Sequence, residues 1–265
     1  MTDHDLDFQI EQLGDSRFLS PMLGARFIDE ETRILYHSRY DELLPFLDAG
    51  KEPPTLELAG PREKIFFDPT YISCGIVSCG GLCPGINNVI RAVVMSLHHH
   101  YGVRSIYGFR YGFEGLVKRY NHKPLLLTPE SVNDIGELGG TILSSSRGPQ
   151  HPAEMVDYLV ELGVKILFTI GGDGTLKGAG AIAAEVRRRN LPLSVIGIPK
   201  TIDNDISFVQ KTFGFETAVA EAQRAIDAAH SEAAGASNGI GLVKLMGRDS
   251  GFIAAYSTIV SGQVN

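Results

Sequence analysis

Three short apolar runs in this chain each lead into a loop rich in Gly, Asp or Thr, and each loop is followed by a helical pattern of apolar residues. The runs cover residues 72–78, 165–170 and 193–198. Buried strands that alternate with helices are typical of a parallel sheet with helices packed on its faces. We therefore predict an α/β fold, with a Rossmann-like parallel sheet in a three-layer arrangement.

The rest of the chain is organised around this α/β region. Its 265 residues suffice for one large domain or two modest ones. Residues 1–70 lack the alternation, contain six prolines and are predicted to form an N-terminal extension with one short helix at residues 40–47. Residues 71–212 form the predicted α/β domain. Residues 213–265 are predicted to begin a second domain, with helices at residues 215–229 and 250–261 around a strand at residues 240–245.

Composition excludes several classes of function. Lys and Arg number 24 against 31 Asp and Glu, and the net charge of −7 disfavours binding to nucleic acid or to an anionic membrane surface. No stretch approaches the roughly 18 apolar residues that a membrane-spanning helix needs. The three cysteines are an odd number, and the first residues lack the basic and then apolar order of a signal peptide. These features predict a cytoplasmic location.

The loop after the second apolar run reads GGDGT. Gly171, Gly172 and Gly174 leave space for a nucleotide around a single carboxylate, Asp173, which could hold a hydrated Mg²⁺ beside phosphates. Similar loops occur in NAD kinases and diacylglycerol kinases, so the motif indicates a phosphotransferase and leaves the acceptor open. The turn CGGLCPG after the first run also suits an anion, because its backbone N–H groups and the following helix N-terminus are accessible. A tight turn without a ligand is the alternative.

The segment PKTIDND follows the third run and supplies groups for an acceptor. Asp203 and Asp205 alternate along an extended segment, so one carboxylate can accept a hydroxyl proton while the other orients the hydroxyl or helps a metal. Thr201 can bind a sugar or phosphate oxygen. Arg147 in SSSRGP and Arg248 in MGRDSG can hold phosphate oxygens or stabilise transition-state charge. Solvated acids in an Asx-turn and surface arginines are the alternatives.

Three other patterns fail on their context. GASNG matches the nucleophile pattern of serine hydrolases, but a helix precedes it and a strand is predicted after it, the reverse of the required order. The cysteines and the His98–His100 run lack the spacing of a zinc site. No Walker G-x-x-x-x-G-K-[ST] motif occurs.

Five segments in this order make the sequence resemble 6-phosphofructokinases from about Phe66 to the C-terminus. They are CGGLCPGINNVIRAVV, GGTILSSSRG, GGDGT, PKTIDND and KLMGRDSGFIAAYST. The extension and the segment AGPREKIFFDP are similar to an ATP-using branch, from plants, trypanosomatids and some bacteria, that is close to the pyrophosphate-dependent enzymes. The resemblance implies a phosphofructokinase-like fold, and transfer of the γ-phosphoryl group of ATP to the C1 hydroxyl of fructose 6-phosphate in glycolysis.

The resemblance also assigns residues. It implies that residues 71–212 bind the nucleotide, that Asp173 holds Mg²⁺ and that Asp203 is the general base. The predicted catalytic residues are Asp203, Asp205 and Arg248. The implied nucleotide contacts are Gly81, Arg147, Gly148, Gly172, Asp173, Gly174 and Thr175. The implied contacts to the sugar phosphate are Thr201, Ile202, Asp203, Met246, Gly247 and Arg248.

The sequence departs from the family pattern in three places. Gly239 stands where many bacterial members have an Arg that reaches a neighbouring subunit, and Met95 replaces one of two effector-site Arg residues. Family members continue for a hundred residues or more, so we expect a truncated chain whose second domain is incomplete. We expect this chain alone to be inactive, whereas a full-length protein would form a homo-oligomer. We also expect the chain to associate through exposed apolar residues of its last helix, namely Phe252, Ile253, Tyr256, Ile259 and Val260.

Two alternatives to the ATP-dependent enzyme stay open. One is a pyrophosphate-dependent phosphofructokinase, which Lys200 favours. Gly174 favours ATP, because the Asp that pyrophosphate enzymes carry there would crowd and repel the α-phosphate and adenosine. The other alternative is an inactive nucleotide-binding fragment or regulatory subunit.

Overall fold

The computed structural model describes residues 6–264. The first five residues of the predicted extension, and Asn265 at the end of the predicted second domain, lie outside the described residues. The strands are β1 (Phe18–Leu19), β2 (Arg33–Leu35), β3 (Thr55–Glu57), β4 (Lys64–Ile65), β5 (Ser73–Ser78), β6 (Ser105–Phe109), β7 (Leu125–Leu126), β8 (Val164–Gly171) and β9 (Ser194–Pro199). The α-helices are α1 (Tyr40–Asp48), α2 (Ile86–His99), α3 (Pro129–Val132), α4 (Pro152–Glu161), α5 (Asp173–Arg188), α6 (Phe215–Gly235) and α7 (Phe252–Ser261).

The main sheet contains five strands in the order β7-β6-β5-β8-β9. β6, β5, β8 and β9 are parallel, and β7 pairs antiparallel with β6 at one edge. The chain passes from β5 outward to β6 and from β8 outward to β9 in the opposite direction. The strand order therefore reverses between β5 and β8, and ligands of open α/β sheets bind outside the carboxyl ends of strands at such a point.

Both faces of this sheet are covered. On one face, Val77 of β5 and Leu167 of β8 belong to a buried cluster with Leu159 of α4 and Ile182 of α5. Crossovers between parallel strands are right-handed, and β5-α2-β6 moves across the sheet in the opposite direction to β8-α5-β9, so we infer that α2 covers the other face. The side chains that α2 buries recur at helical spacing: Ile86, Asn87, Ile90, Val94 and Leu97. The predicted α/β fold with a parallel sheet in three layers is confirmed.

Residues up to Tyr71, together with His100–Gly102, form a unit of their own. Within it β1 pairs with β4 and β2 with β3, both antiparallel. The helix predicted at residues 40–47 is α1, whereas the two short strand pairs were not predicted. Residues 72–99 and 103–264 form the other unit, and its further division after residue 212 stays a prediction.

The region after α6 differs from the prediction. Residues 240–245 do not form a strand, and the side chains of Ile240 and Leu242 are 92% and 93% exposed. A β-strand is stabilised by hydrogen bonds to a neighbouring strand, and within residues 6–264 no strand pairs with this segment. The prediction of a strand here is wrong, because an apolar run without an adjacent sheet edge has nothing to bond to.

Helix α7 buries part of the face that was expected to be exposed. Ile253 is 3% exposed and packs with Phe215 and Val219 of α6, so its predicted exposure is wrong. Four other large apolar residues of α7 are exposed: Phe252, Tyr256, Ile259 and Val260. Neither the 21-residue α6 nor another helix within residues 6–264 is both long and apolar enough to cross a membrane.

The centre of the sheet offers a direct test of its packing. A Cβ added at Gly75 of β5 would lie 2.7 Å from the ring of Phe109 and 3.2 Å from Leu167. Gly75→Ala should therefore overpack the core and lower the free energy of unfolding by about 1–3 kcal/mol, measured by urea denaturation. Gly180→Ala in α5, whose Cβ would meet open space, is the control and should be neutral or slightly stabilising. Equal stability of the two variants would contradict this packing.

Candidate active site

The sequence-predicted site residues line one cavity of about 1270 Å³. It opens where β5 and β8 end, the point at which the strand order reverses, and the loop after β9 completes it. The predicted residues that the structure brings together here are Gly81, Arg147, Gly148, Gly172, Asp173, Gly174, Thr175, Thr201, Ile202, Asp203, Asp205, Met246, Gly247 and Arg248.

The glycines of GGDGT serve different purposes. A Cβ at Gly171 would lie 2.2 Å from the hydroxyl oxygen of Thr175, so this glycine is needed for the strand-to-helix turn itself. Thr175, predicted to contact a nucleotide, is only 6% exposed, and its side chain packs inside this turn. A Cβ at Gly174 would meet nothing within 4 Å. Packing does not require a glycine at position 174, and its missing side chain leaves the cavity wider.

The N-terminus of α5 faces the cavity. The helix begins at Asp173, its N-cap is Gly172, and no side chain caps it. An uncapped helix N-terminus presents backbone N–H groups and partial positive charge, which together favour a phosphate. The exposed carboxylate of Asp173 forms an ion pair with Lys177 one turn on, at 2.8 Å.

Two cations flank the glycine loop that follows β5. The buried ammonium of Lys200 donates a hydrogen bond to the backbone oxygen of Gly81. The guanidinium of Arg147 is also close to this loop, since its Nη2 would lie 3.5 Å from a Cβ at Gly81. Burial lowers the pKa of Lys200, the charge of Arg147 adds to this lowering, and Cys83, Cys79 and Asp203 oppose it.

The TIDND turn is held by its own hydrogen bonds. Thr201 accepts at its hydroxyl from the backbone N–H of Asp203, at 3.0 Å. Asn204 has a left-handed backbone (φ 52°), and its side-chain oxygen accepts from the N–H of Thr212 at 2.8 Å. Ile202 packs against the buried cluster that Phe215 belongs to. This segment is therefore an ordered turn that presents Asp203, rather than a solvated loop.

Asp203 is half-buried, and its electrostatic surroundings are mixed. Burial raises the pKa of its carboxyl, and the nearby carboxylate of Asp205 raises it further. The charge and the backbone amide of Arg248 act in the opposite direction, followed by Lys200, but the raising effects are larger. The MGRDSG loop also touches this turn directly, since the hydroxyl of Ser250 donates to the backbone oxygen of Asp203 at 2.9 Å.

The remaining predicted residues form the outer rim of the cavity. Gly148, Asp205, Gly247 and Arg248 are exposed, and Met246 is 74% exposed. Gly247 has a φ of 142°, and a Cβ there would lie 2.7 Å from the oxygen of Ser250, so the turn of this loop requires glycine.

Among the cavity-lining side chains that the sequence prediction missed, Phe113, Lys177 and Lys244 show why. Phe113 follows β6, a strand that was itself not predicted. Lys177 lies four residues after Asp173 on α5, and this spacing was a usable signal. Lys244 lies in the segment that was predicted as a strand, where a cavity position would not be sought.

The cysteines do not add a reactive group. Cys74, Cys79 and Cys83 are buried, and burial raises their pKa values to about 12, 12 and 11. Such thiols are protonated at neutral pH and are poor nucleophiles and metal ligands. Across the described part of the chain, no group of three or more His, Cys, Asp or Glu side chains could hold a metal ion by itself.

The fold and the cavity define a doubly wound α/β protein with its site at the switch point of the sheet. Residues 73–264 match the model of the Phosphofructokinase family. The chain is 48% identical over 270 residues to the ATP-dependent 6-phosphofructokinase of Borreliella burgdorferi, covering 98% of this chain and 59% of that protein. It is also 48% identical over 264 residues to the enzyme of the same name from Trypanosoma cruzi, covering 98% and 54%. The chain belongs to the phosphofructokinase family.

The fold is shared with solved members of the family. The crystal structure of a pyrophosphate-dependent phosphofructokinase from Marinobacter aquaeolei aligns with a TM-score of 0.61 at 20% identity. The alignment covers 73% of this chain and 50% of that one. The chain spans little more than half the length of the two curated relatives described above.

The raised pKa of Asp203 predicts a pH-dependent effect on stability. A carboxyl whose pKa is higher in the folded than in the unfolded state destabilises the fold when ionised, so the penalty is present above the folded pKa and vanishes below the unfolded one. Asp203→Asn should therefore raise the melting temperature at neutral pH by about 1–3 °C, and the gain should shrink as the pH falls toward the usual range of Asp.

Thermal denaturation followed by circular dichroism at several pH values measures this effect. Asp227→Asn, at an exposed position of α6, is the matched control and should show no such pH-dependent gain. A lower melting temperature of Asp203→Asn at neutral pH would mean that Asp203 stabilises the fold through its contacts.

Proposed function

We propose that this chain carries the donor and acceptor residues of an ATP-dependent 6-phosphofructokinase. The reaction transfers the γ-phosphoryl group of ATP to the C1 hydroxyl of fructose 6-phosphate, giving fructose 1,6-bisphosphate and ADP. The observation that carries this proposal is that a glycine loop, an uncapped helix N-terminus, a carboxylate pair and two arginines line one cavity. The names of the relatives support the same reaction. A cytoplasmic location and a homo-oligomer of the full-length protein stay predictions.

The donor would bind along the loops after β5 and β8. The N-terminus of α5 and the backbone of Gly81 would face its phosphates, and Arg147, which lies near Gly81, would hold phosphate oxygens. Mg²⁺ usually binds one or two carboxylates together with substrate phosphates, and the exposed carboxylate of Asp173 fits that mode. When bound, the ion would neutralise the charge on the phosphates, and Asp173 would exchange its partner Lys177 for it.

The acceptor would bind between the TIDND turn and the MGRDSG loop. Asp203 is the proposed general base for the C1 hydroxyl, since a raised pKa makes a carboxylate a better proton acceptor. Asp205 keeps that pKa raised and can orient the hydroxyl. Arg248 is placed to stabilise the charge that develops on the transferred group. Thr201, Ile202, Met246 and Gly247 would contact the sugar phosphate.

Space around Gly174 favours ATP over pyrophosphate as the donor. A side chain there would project into the open cavity, and its absence leaves room beyond two phosphates. The ammonium of Lys200 beside the glycine loop supports pyrophosphate as the second candidate donor, because an additional cation suits a compact, highly charged anion. We give the space greater weight, because attraction by a cation cannot compensate for a blocked site, whereas an additional Lys does not exclude ATP.

A substitution at Gly174 tests the choice of donor. Gly174→Asp should weaken binding of Mg-ATP at least about 10-fold by crowding and charge repulsion, and should leave Mg-pyrophosphate within a few fold. Gly180→Asp adds the same charge to α5 at a position that does not line the cavity and is the control. Calorimetric titration of the 265-residue chain measures both ligands. Tighter binding of pyrophosphate than of ATP by the unsubstituted chain would reverse the assignment.

The catalytic role of Asp203 is tested by kinetic assays of an active enzyme whose sequence includes these 265 residues. Asp203→Ser should lower kcat at least about 10³-fold and leave the KM for ATP within a few fold, since a general base acts mainly in the transition state. In the unsubstituted enzyme, activity should fall as the pH drops through the pKa of Asp203, because the base must be ionised. A loss of activity below tenfold would remove Asp203 from this role.

A further inference from the structure

The segment that ends in Arg147 is fastened to the glycine loop through a single residue. The hydroxyl of Ser145 donates to the backbone oxygen of Gly80 at 2.6 Å, and the N–H of Gly80 donates to the backbone oxygen of Ser146 at 3.1 Å. Both main-chain polar groups of Gly80 are thus occupied by the two residues that precede Arg147. We name these two bonds the serine clasp.

Neighbouring bonds fix the same segment from two other sides. The hydroxyl of Ser78, at the end of β5, donates to the backbone oxygen of Ser144 at 3.1 Å. The hydroxyl of Ser146 donates to the backbone oxygen of Tyr111, at 2.7 Å, in the turn that follows β6. The segment before Arg147 is therefore anchored to the carboxyl ends of two adjacent strands.

The side chain of Arg147 depends on this anchoring for its position. It is exposed, and Gly81, which its Nη2 approaches, has no side chain to pack against it. A long, solvent-exposed side chain loses much rotamer entropy when a ligand fixes it, and a rigid backbone limits that cost. The clasp supplies the rigid backbone.

We propose that Ser145 is a positioning residue, which holds Arg147 against the glycine loop so that the guanidinium meets the phosphates of the donor. This inference rests on the proposed function, because it assumes that Arg147 binds donor phosphate. Ser145 itself points to Gly80 and acts on the donor only through Arg147.

Titration of the 265-residue chain with Mg-ATP tests the proposal. Ser145→Ala should weaken binding about 10-fold, because the loop must then be ordered by the ligand. Ser145→Thr keeps the hydroxyl and should stay within about 3-fold. Ser131→Ala is the matched control, since that serine makes a comparable bond within the cap of α3, outside the residues that line the cavity. The proposal is wrong if Ser145→Ala binds Mg-ATP as the control does.

A double-mutant cycle separates positioning from a general loss of structure. In an Arg147→Ala background, Ser145→Ala should weaken binding by less than about 2-fold, because its effect passes through the missing guanidinium. The N–H of Gly80 should exchange with solvent faster in Ser145→Ala than in the unsubstituted chain, as measured by hydrogen exchange. An unchanged 10-fold effect in the Arg147→Ala background, or unchanged exchange at Gly80, would overturn the proposal.

Two further results distinguish a failure of folding or of the proposed function from a failure of this inference. If Ser145→Ala does not fold, Ser145→Cys is used in its place, because a thiol is a weaker hydrogen-bond donor of similar shape to the hydroxyl. The double-mutant cycle with Arg147→Ala is then measured with this variant. If the unsubstituted chain does not bind Mg-ATP, the proposed function fails and this inference fails with it. If the unsubstituted chain binds Mg-ATP but the effects of Ser145→Ala and Arg147→Ala on binding are additive, the role of Ser145 is overturned and the proposed function stands.

Discussion

β8 lies between β5 and β9 and pairs with both in parallel, and this pairing decides where each loop of the cavity can lie. Ser78 aligns with Ile170, and Ile170 aligns with Ile198, so the three strands end at the same level. The N–H of Cys79 and the N–H of Lys200 extend the ladders onto β8 by one residue each, bonding to Ile170 and Gly171. Parallel strands joined by right-handed crossovers leave their carboxyl ends at one edge. Three segments far apart in the chain meet there for that reason.

The turn at the end of β8 shows how packing and ligand space are divided within one motif. Thr175 folds back over Gly171, where even a methyl group would collide with its side chain. That contact ends the strand and starts α5 with its first N–H groups facing the cavity. At Gly174 no neighbour imposes a glycine. Any requirement for glycine there would come from the ligand side, which is why the proposed choice between donors is assigned to Gly174 and not to Gly171.

Much of the sheet could be predicted, because β5, β8 and β9 are apolar runs that end in loops rich in Gly, Asp or Thr. β6 was missed because its five residues, SIYGF, include Gly108, which weakens a strand pattern. A signal for α4 was present and overlooked, since Pro152 begins it and Met155, Val156 and Leu159 follow at helical spacing. For residues 240–245 a strand was predicted and none is present. Composition can indicate a strand, but it does not show whether another strand lies beside it to accept its hydrogen bonds. The cavity residues were grouped by motif, whereas the bonds of Ser145 and Ser146 to Gly80 depend on tertiary structure alone.

The charge balance of the cavity makes the proposed binding of a polyphosphate compatible with a net acidic chain. Five cationic side chains and three carboxylates line it, whereas the whole chain carries −7. Over distances beyond about 8 Å the overall charge is screened by physiological salt, and the nearby cations dominate at the site. The same cations have a second effect. A bound donor brings more negative charge close to Asp203, whose pKa burial and Asp205 already raise, and unopposed charge would protonate it. Arg248 and Lys200 act against that rise, so in the proposed function the cations that would attract the donor would also favour the ionised form of the base.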